Sequence, residues 1–271
     1  PKNIAEYKKT DTGPAYEMAK VHDSIYIDGL LTEKVIRDLK KFEKSDKPFF
    51  LTAGFIAPHL PFNAPKKYWD MYKRENIQQP NNNYIPKNAP LMSISSWGEM
   101  RAYSNIPKKG QVSDSIAKDL IHGYYATVSY VDALIGKILT ELKTTGLDKN
   151  TIVVFVSDHG YNLQEHTQWA KFTNYNTSTQ VPLIISSPSN TIKGKSTNAL
   201  VDLTDIYPTL VELCNLKIPE NQLDGTSLIT SLKNVDLKGK EHVLIKKGNG
   251  FTLKTQDYSY TEYINPKTNE M

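Results

Sequence analysis

The fold is decided by residues 151–160, which read Thr-Ile-Val-Val-Phe-Val-Ser-Asp-His-Gly. The first six residues are mostly β-branched or aromatic, and a short apolar run of this composition predicts a buried strand. After Val156 the chain turns polar at once, with Asp158 and His159 side by side and Gly160 behind them. Parallel α/β sheets bind ligands at the carboxyl ends of their strands. The stretch therefore predicts a sheet and, at its edge, a functional site.

Helical periodicity surrounds this strand in the sequence. From Leu30 to Phe42 apolar residues recur at intervals of three and four, which predicts an amphipathic helix. The strongest period runs from Ser113 to Thr145, where Ser113 or Asp114 can cap the start and Gly146 can take the left-handed conformation that ends a helix. We expect this second segment to be one long core helix.

Strands and helices alternate through the rest of the chain. Residues 1–29 show no sustained period, which predicts a loop or surface extension. The remaining patterns predict buried strands at 49–55 and 181–185, helices at 202–215 and 226–232, and a hairpin of 242–247 with 251–255. This alternation predicts an α/β layer on a mainly parallel sheet, with a small antiparallel appendix.

Composition excludes several classes of protein. The 271 residues carry 33 Lys+Arg against 29 Asp+Glu, a formal charge of +4, which is too even for a nucleic-acid or membrane-surface footprint. One cysteine excludes an intrachain disulfide, and no apolar run is long enough to span a membrane. The chain begins without an initiator methionine and ends in polar residues. We therefore expect it to be a piece of a longer protein.

The chemistry-bearing residues cluster after the deciding strand. Asp158 and His159 form a plausible half of a metal site, although the alternative is a helix cap beside a surface histidine. Calcium prefers several oxygen ligands, so further carboxylates would have to come from elsewhere. The loop that follows also contains Glu165, His166, Trp169 and Lys171. A solvent-exposed surface rarely combines these residue types.

His59 and Lys171 are the two further candidates. His59 follows the apolar run at 49–55 and lies between Pro58 and Pro61, where its ring can donate a proton or bind an anion. The alternative is a structural histidine. Lys171 is either a surface lysine or a point charge for a tetrahedral oxyanion. No nucleophile motif is present, so the chain shows ligands and charge stabilisers alone.

Four blocks, in order, resemble the type I sulfatases of the alkaline phosphatase superfamily, especially the iduronate-2-sulfatase-like and bacterial polysaccharide-sulfatase branches. The blocks are residues 49–62, 124–132, 157–166 and 169–174. The resemblance covers about residues 14–232. It implies an α/β alkaline-phosphatase-like sandwich, with a mostly parallel sheet between helices and a small antiparallel carboxyl-terminal subdomain. It implies a partial catalytic domain at 1–232 and the start of that subdomain at 233–271.

The resemblance also implies roles for individual residues. Asp158 and His159 match the later calcium ligands of the family, Lys171 matches the lysine that contacts the sulfate, and His59 matches the histidine that contacts the sulfate and protonates the leaving alcohol. Three residues would line the mouth of the pocket: Tyr161, His166 and Trp169. The family's nucleophile is a formylglycine made in a C/S-x-P-S/A-R motif, and an aspartate pair completes the calcium site. This sequence contains neither feature, and both are expected in the amino-terminal part that would precede residue 1.

The implied substrate is a sulfated poly- or oligosaccharide. The implied partner is the amino-terminal part of the domain, with no nucleic acid and no membrane span. By family habit the protein is periplasmic or secreted in bacteria, or lysosomal in a eukaryote. The proline-rich excursion at 61–110 can form the substrate rim through Trp69, Trp97 and Arg101, or its aromatic residues can simply pack the loop. Two other functions stay open: a phosphodiesterase or phosphonate monoester hydrolase of the same superfamily, and a non-catalytic module that binds sulfated glycans.

Overall fold

A computed structural model describes residues 12–190, 192–217 and 223–264. Residues 1–11, which belong to the segment predicted as loop, lie outside the described residues. The strands are β1 (Tyr16–Ala19), β2 (Phe62–Pro65), β3 (Val153–Val156), β4 (Asn162–Leu163), β5 (Trp169–Ala170), β6 (Leu183–Ser186), β7 (Val243–Lys247), β8 (Gly250–Lys254) and β9 (Ser259–Tyr263). The α-helices are α1 (Ile27–Phe42), α2 (Lys66–Trp69), α3 (Gly98–Arg101), α4 (Asp114–Thr144), α5 (Asn176–Thr179), α6 (Ile206–Leu213) and α7 (Ile229–Lys233).

The chain divides into two compact units, each assembled from separate stretches of sequence. The first unit runs to residue 89 and continues through 95–149 and 161–170, so it contains β1, β2, β4, β5 and α1 to α4. The second unit takes 90–94, 150–160 and the chain from 171, and it contains β3, β6 to β9 and α5 to α7. The predicted boundary between residues 232 and 233 stays a prediction.

Helix α4 forms the core of the first unit, as its periodicity predicts. Ser113 caps it by accepting a hydrogen bond from the backbone N–H of Ile116 at 3.4 Å, and Gly146 follows with φ +73°. Helix α1 contains the helix predicted from Leu30 to Phe42, which is thereby confirmed, and it packs against α4. The largest side chains that α4 buries completely are Leu120, Ile121, Tyr130 and Leu134.

The strands of the first unit differ from the sequence prediction. Strand β1 lies in the segment predicted as loop and pairs in parallel with β2, with Tyr16 opposite Phe62. The predicted buried strand at 49–55 is wrong: these residues form no strand, and Phe50 is 84% exposed. Within its described residues the first unit thus holds one parallel pair, β1–β2, and the short antiparallel pair β4–β5, where the sequence predicts a mainly parallel sheet.

The second unit confirms two predicted strands and corrects their setting. Strands β3 and β6 pair antiparallel, with Val153 opposite Ser186. Phe155 and Val156 are each 39% exposed, so the prediction that β3 is fully buried is wrong at its end. The hairpin β7–β8 is confirmed, and β9 extends it to a three-stranded antiparallel sheet. Among the described helices, none combines the length and the apolar character needed to cross a bilayer.

The buried carboxylate of Asp23 connects elements of the first unit through ion pairs and a hydrogen bond. Its carboxylate forms ion pairs with Lys67 at 2.7 Å and Lys137 at 2.6 Å, and Tyr68 donates its hydroxyl hydrogen to it at 3.1 Å. Burial alone raises the pKa of the Asp23 carboxyl, but the hydrogen bonds from Lys137, Lys67 and Tyr68 outweigh it. The net pKa is lower than that of an ordinary aspartate.

We expect Asp23→Asn to lower the free energy of unfolding by about 1.5–3 kcal/mol at pH 7, because charge-assisted hydrogen bonds are lost. The folded pKa is depressed, so this contribution is present above the unfolded pKa of about 3.9 and is lost as the pH falls through the folded value. Urea unfolding at pH 7 and pH 3 measures the difference. Asp38→Asn is the control, because Lys34 and Lys41 pair with Asp38 on the exposed face of α1. An equal deficit for Asp23→Asn at both pH values would contradict this account.

Candidate active site

The polar turn after β3 holds two of the predicted residues together. The side chain of Asp158 is 85% exposed and that of His159 is 33% exposed, with His159 Nε2 3.6 Å from Asp158 Oδ2. Asp158 Oδ1 accepts a hydrogen bond from the backbone N–H of His159 at 2.9 Å, and Ser157 donates its hydroxyl hydrogen to the carbonyl of His159 at 2.8 Å. These local bonds hold the turn in one conformation, with both functional groups at the surface of the unit.

Gly160 ends this turn at a very close contact. Its N–H donates to the carbonyl of Ser178 at 2.9 Å, and a Cβ atom at position 160 would lie 2.1 Å from the carbonyl oxygen of Thr177. A side chain at this position would force the turn away from the segment at 177–180. The absence of a side chain at Gly160 therefore allows the turn to approach this segment closely.

The pair at the end of β3 fits two positions of a metal site. His159 Nδ1 lies 2.8 Å from the carbonyl oxygen of Gly160. Because a carbonyl only accepts, Nδ1 carries a proton, which leaves Nε2 as the nitrogen that can bind a metal, the usual arrangement of metal-binding histidines. No group of three or more His, Cys, Asp or Glu side chains able to hold a metal is found in the described ranges. Asp158 and His159 would therefore need oxygen ligands from elsewhere.

Asp28 positions the segment that carries His59. The side chain is buried in α1, and its two carboxylate oxygens accept the backbone N–H groups of Ile56 and Ala57, each at 2.9 Å. These bonds fix the backbone directly after the apolar run at 49–55. The backbone is thus fixed immediately before His59.

His59 is paired with a carboxylate from a distant part of the chain. His59 Nδ1 lies 2.8 Å from the carbonyl oxygen of Leu60, and Nε2 lies 2.8 Å from Oε1 of Glu99 in α3. Both oxygens act as acceptors, so this geometry suits a ring protonated on both nitrogens. The ring is 35% exposed and the Glu99 side chain is 25% exposed, which leaves the pair at the edge of the unit.

The ammonium groups of Lys171 and of a second lysine both lie near one aromatic ring. Its Nζ lies 5.6 Å from the ring centroid of Phe172, and Nζ of Lys247 lies 5.5 Å from the same centroid. Both distances are within cation–π range. Lys171 itself is half-buried, whereas Phe172 and Lys247 are exposed.

The three residues predicted for the mouth of the pocket lie in the first unit, and two of them are packed inside it. Trp169 is fully buried in the core cluster. Tyr161 packs against Phe62 and Tyr124, and burial is the main reason that the pKa of its hydroxyl lies well above the ordinary value. His166 has a left-handed backbone (φ 51°) and donates its N–H to the carbonyl of Asn82 at 2.8 Å. Their contact with substrate stays a prediction.

The loop that carries His166 is strained. Four residues without a glycine's freedom have positive φ: Gln164 (85°), His166 (51°), Thr167 (61°) and Ala170 (63°). The buried side chain of Gln168 supports them by donating to the carbonyl of His166 at 3.0 Å and accepting the N–H of Ser95 at 2.7 Å. Strained backbone held in this way is common at functional sites.

In the segment at 61–110, the residues that the sequence suggested for a substrate rim pack within the loop instead. Trp69 and Trp97 are only 5% and 3% exposed. Arg101 donates hydrogen bonds to the carbonyls of Ser96, Pro107 and Gly110, and its guanidinium lies over the Trp97 ring. The packing alternative is therefore confirmed for these two tryptophans, and Arg101 braces the loop.

The structure thus brings together Asp158 with His159, and His59 with Glu99. The first pair and Lys171 belong to the second unit, while His59 belongs to the first. Their convergence on a single substrate stays a prediction. Sequence reasoning missed Asp28, Glu99 and Lys247, because no local spacing connects them with the residues they contact.

Known proteins similar to this chain define its family. A family model described as Sulfatase matches residues 2–216, which is more than half of the chain. The chain belongs to the sulfatase family. Iduronate 2-sulfatase of Mus musculus is 31% identical over 233 residues, which cover 75% of this chain and 42% of the mouse protein. The chain therefore spans less than half the length of this sulfatase relative.

Solved structures show the fold. BT4656, in complex with its substrate D-glucosamine-2-N,6-O-disulfate, is 20% identical with a TM-score of 0.75, and the match covers 90% of this chain and 62% of that one. The phosphonate monoester hydrolase of Agrobacterium radiobacter is 23% identical, also with a TM-score of 0.75, over 90% of this chain and 53% of that one. This likeness confirms the predicted α/β alkaline-phosphatase-like sulfatase fold, including its small antiparallel subdomain.

Proposed function

We propose that the protein containing this chain hydrolyses sulfate esters on a sulfated carbohydrate. The observation that carries the proposal is the arrangement after β3, where a sulfatase-family chain presents an exposed carboxylate beside an imidazole oriented by a hydrogen bond from Nδ1. The sugar named in the mouse relative and the disulfated glucosamine bound by BT4656 support a sulfated carbohydrate as the substrate class. Such substrates are exported or lysosomal, which supports a periplasmic, secreted or lysosomal location.

Calcium is the proposed metal. Asp158 would hold it through carboxylate oxygen and His159 through Nε2, with the remaining oxygen ligands supplied by the part of the domain that carries the family's aspartate pair. When bound, calcium stabilises negative charge on the sulfate oxygens. The proposed nucleophile, formylglycine, belongs to a motif that this sequence does not contain. The contribution of this chain is therefore to bind the metal and the sulfate and to move a proton.

Lys171 and His59 act on the sulfate ester in this proposal. The Lys171 ammonium adds positive charge at the sulfate oxygens. His59 donates the proton on Nε2 to the ester oxygen as the sulfur–oxygen bond breaks, and the alcohol leaves neutral. The ring becomes neutral but keeps its Nδ1–H bond to the carbonyl of Leu60. Glu99, which faces Nε2, must yield that position to the ester oxygen during the step.

The test is product analysis with the full-length protein. We expect inorganic sulfate to be released from sulfated oligosaccharides and from 4-nitrophenyl sulfate in the presence of calcium, measured by ion chromatography. Phenyl phosphonate monoesters and bis(4-nitrophenyl) phosphate are the competing substrates. Preferential hydrolysis of a phosphonate or phosphodiester would overturn the proposal in favour of a hydrolase like the Agrobacterium enzyme. Calorimetric binding of a sulfated oligosaccharide without any sulfate release would instead indicate a glycan-binding module.

A further inference from the structure

A second lysine of the second unit lies near the ring that Lys171 contacts. Lys247 ends β7, and its ammonium and that of Lys171 both lie within 5.6 Å of the Phe172 centroid. The negative face of an aromatic ring attracts each cation. Lys247 therefore places a positive charge beside Phe172, where it can attract an anion.

A small polar cavity adjoins Lys247. Its volume is about 190 Å³. Typical pockets for drug-sized ligands measure about 300–1,000 Å³, so this one suits a charged substituent rather than a whole sugar. None of the residues that line it is acidic, and its polar wall consists of Ser93, Thr173, Asn174, Lys247, Asn249 and Tyr263.

Hydrogen bonds and close packing fix the groups that form the wall of the cavity. The Asn174 side chain is buried and donates to the hydroxyl of Thr252 at 2.9 Å. A Cβ atom at Gly250 would lie 2.7 Å from Asn174 Oδ1, so the hairpin approaches Asn174 as closely as a glycine permits. Tyr175 donates its hydroxyl hydrogen to Ser93 at 3.2 Å. A preorganised polar wall of this kind lowers the cost of binding an ion.

We propose that Lys247 and this cavity form a subsite for a second anionic group, a sulfate or a carboxylate, on the carbohydrate substrate. The inference rests on the proposed function, which places Lys171 at the sulfate that is cleaved. Lys247 then contacts a substituent that is retained. It is a specificity residue rather than a catalytic one, because it binds substrate and product alike.

The neighbouring lysine provides a matched control. Lys246 precedes Lys247 in β7 and is also exposed, but its ammonium lies over the ring of Phe251, 5.1 Å from the centroid. Lys246→Gln and Lys247→Gln therefore remove the same charge one residue apart. We expect a selective effect from the second variant alone.

The experiment uses the full-length protein and three matched substrates: a monosulfated disaccharide, its disulfated form, and its monosulfated uronate form. We expect Lys247→Gln to raise KM about tenfold for whichever doubly anionic substrate the subsite accepts, with kcat unchanged, since one charged contact is worth about one such factor. The monosulfated disaccharide should be unaffected, Lys246→Gln should match wild type, and Lys247→Arg should restore most of the lost affinity.

The proposal is overturned if Lys247→Gln affects all three substrates equally, or none of them. Lys171→Gln serves as the independent check on the proposed function, because it should lower turnover of every sulfate ester. If the wild-type protein releases no sulfate at all, the proposed function fails on its own. Calorimetry with the disulfated disaccharide then tests whether the subsite exists. The subsite is rejected if the wild-type protein and Lys247→Gln bind this disaccharide with equal affinity.

Discussion

Replacement of Asp158 by alanine in the full-length protein is expected to abolish calcium binding and sulfate release together. Asp158 offers the only carboxylate in the turn after β3, and its side chain is 85% exposed, so its removal leaves the backbone of the turn in place. Even residues that only support metal ligands cost about 10–100-fold in affinity or activity when they are mutated, and loss of a ligand should exceed that range.

Isothermal titration calorimetry with calcium measures the affinity directly, and ion chromatography measures the released sulfate. Asp236→Ala is the control, because Asp236 is also exposed and lies in the same unit. Calcium affinity that is unchanged in Asp158→Ala would contradict the ligand assignment, whatever happens to turnover.

Replacement of His59 by glutamine is expected to lower kcat by about 10²- to 10⁴-fold on sugar sulfates, the range of general acid catalysis. The loss should be much smaller on 4-nitrophenyl sulfate, because nitrophenolate leaves without a proton. Glu99→Gln should show the same selectivity at a smaller magnitude, since the Glu99 carboxylate orients the His59 ring before the ester oxygen replaces it at Nε2.

Steady-state rates on the two substrate types give the ratio that tests this assignment. His242→Gln is the control, because His242 is exposed in a different part of the chain. Equal losses on both substrates for His59→Gln would indicate a role in sulfate binding or folding rather than in proton donation.

The parts of the fold that can be predicted well from the sequence are those coded locally. Helix α4 has a continuous apolar period, a capping serine and a terminating glycine within or beside its own residues, and the structure places each as predicted. Strand β3 is likewise recognisable by its β-branched residues. In contrast, β1 is only four residues long and pairs with β2 more than forty residues later, so no local pattern reveals it.

In the candidate site too, features that depend on neighbouring residues can be predicted from the sequence, whereas contacts with distant residues cannot. The geometry of Asp158 and His159 depends on neighbouring residues and can be anticipated from the strand and glycine around them. The Glu99 partner of His59 lies forty residues beyond it, inside a proline-rich segment without period. At 49–55 the apolar composition predicts a strand, but a strand also needs a pairing partner, and composition gives no information about one.

The hydrogen bonds that Asp28 accepts from Ile56 and Ala57 have a practical consequence for protein engineering. The conformation of the segment that carries His59 depends partly on Asp28 of α1, which lies 28 and 29 residues before Ile56 and Ala57 and accepts their N–H groups at 2.9 Å. A graft of the His59 loop into another scaffold would lose this anchor unless α1 were transferred with it. Mutational libraries confined to the loop would likewise overlook one of the positions that determines its shape.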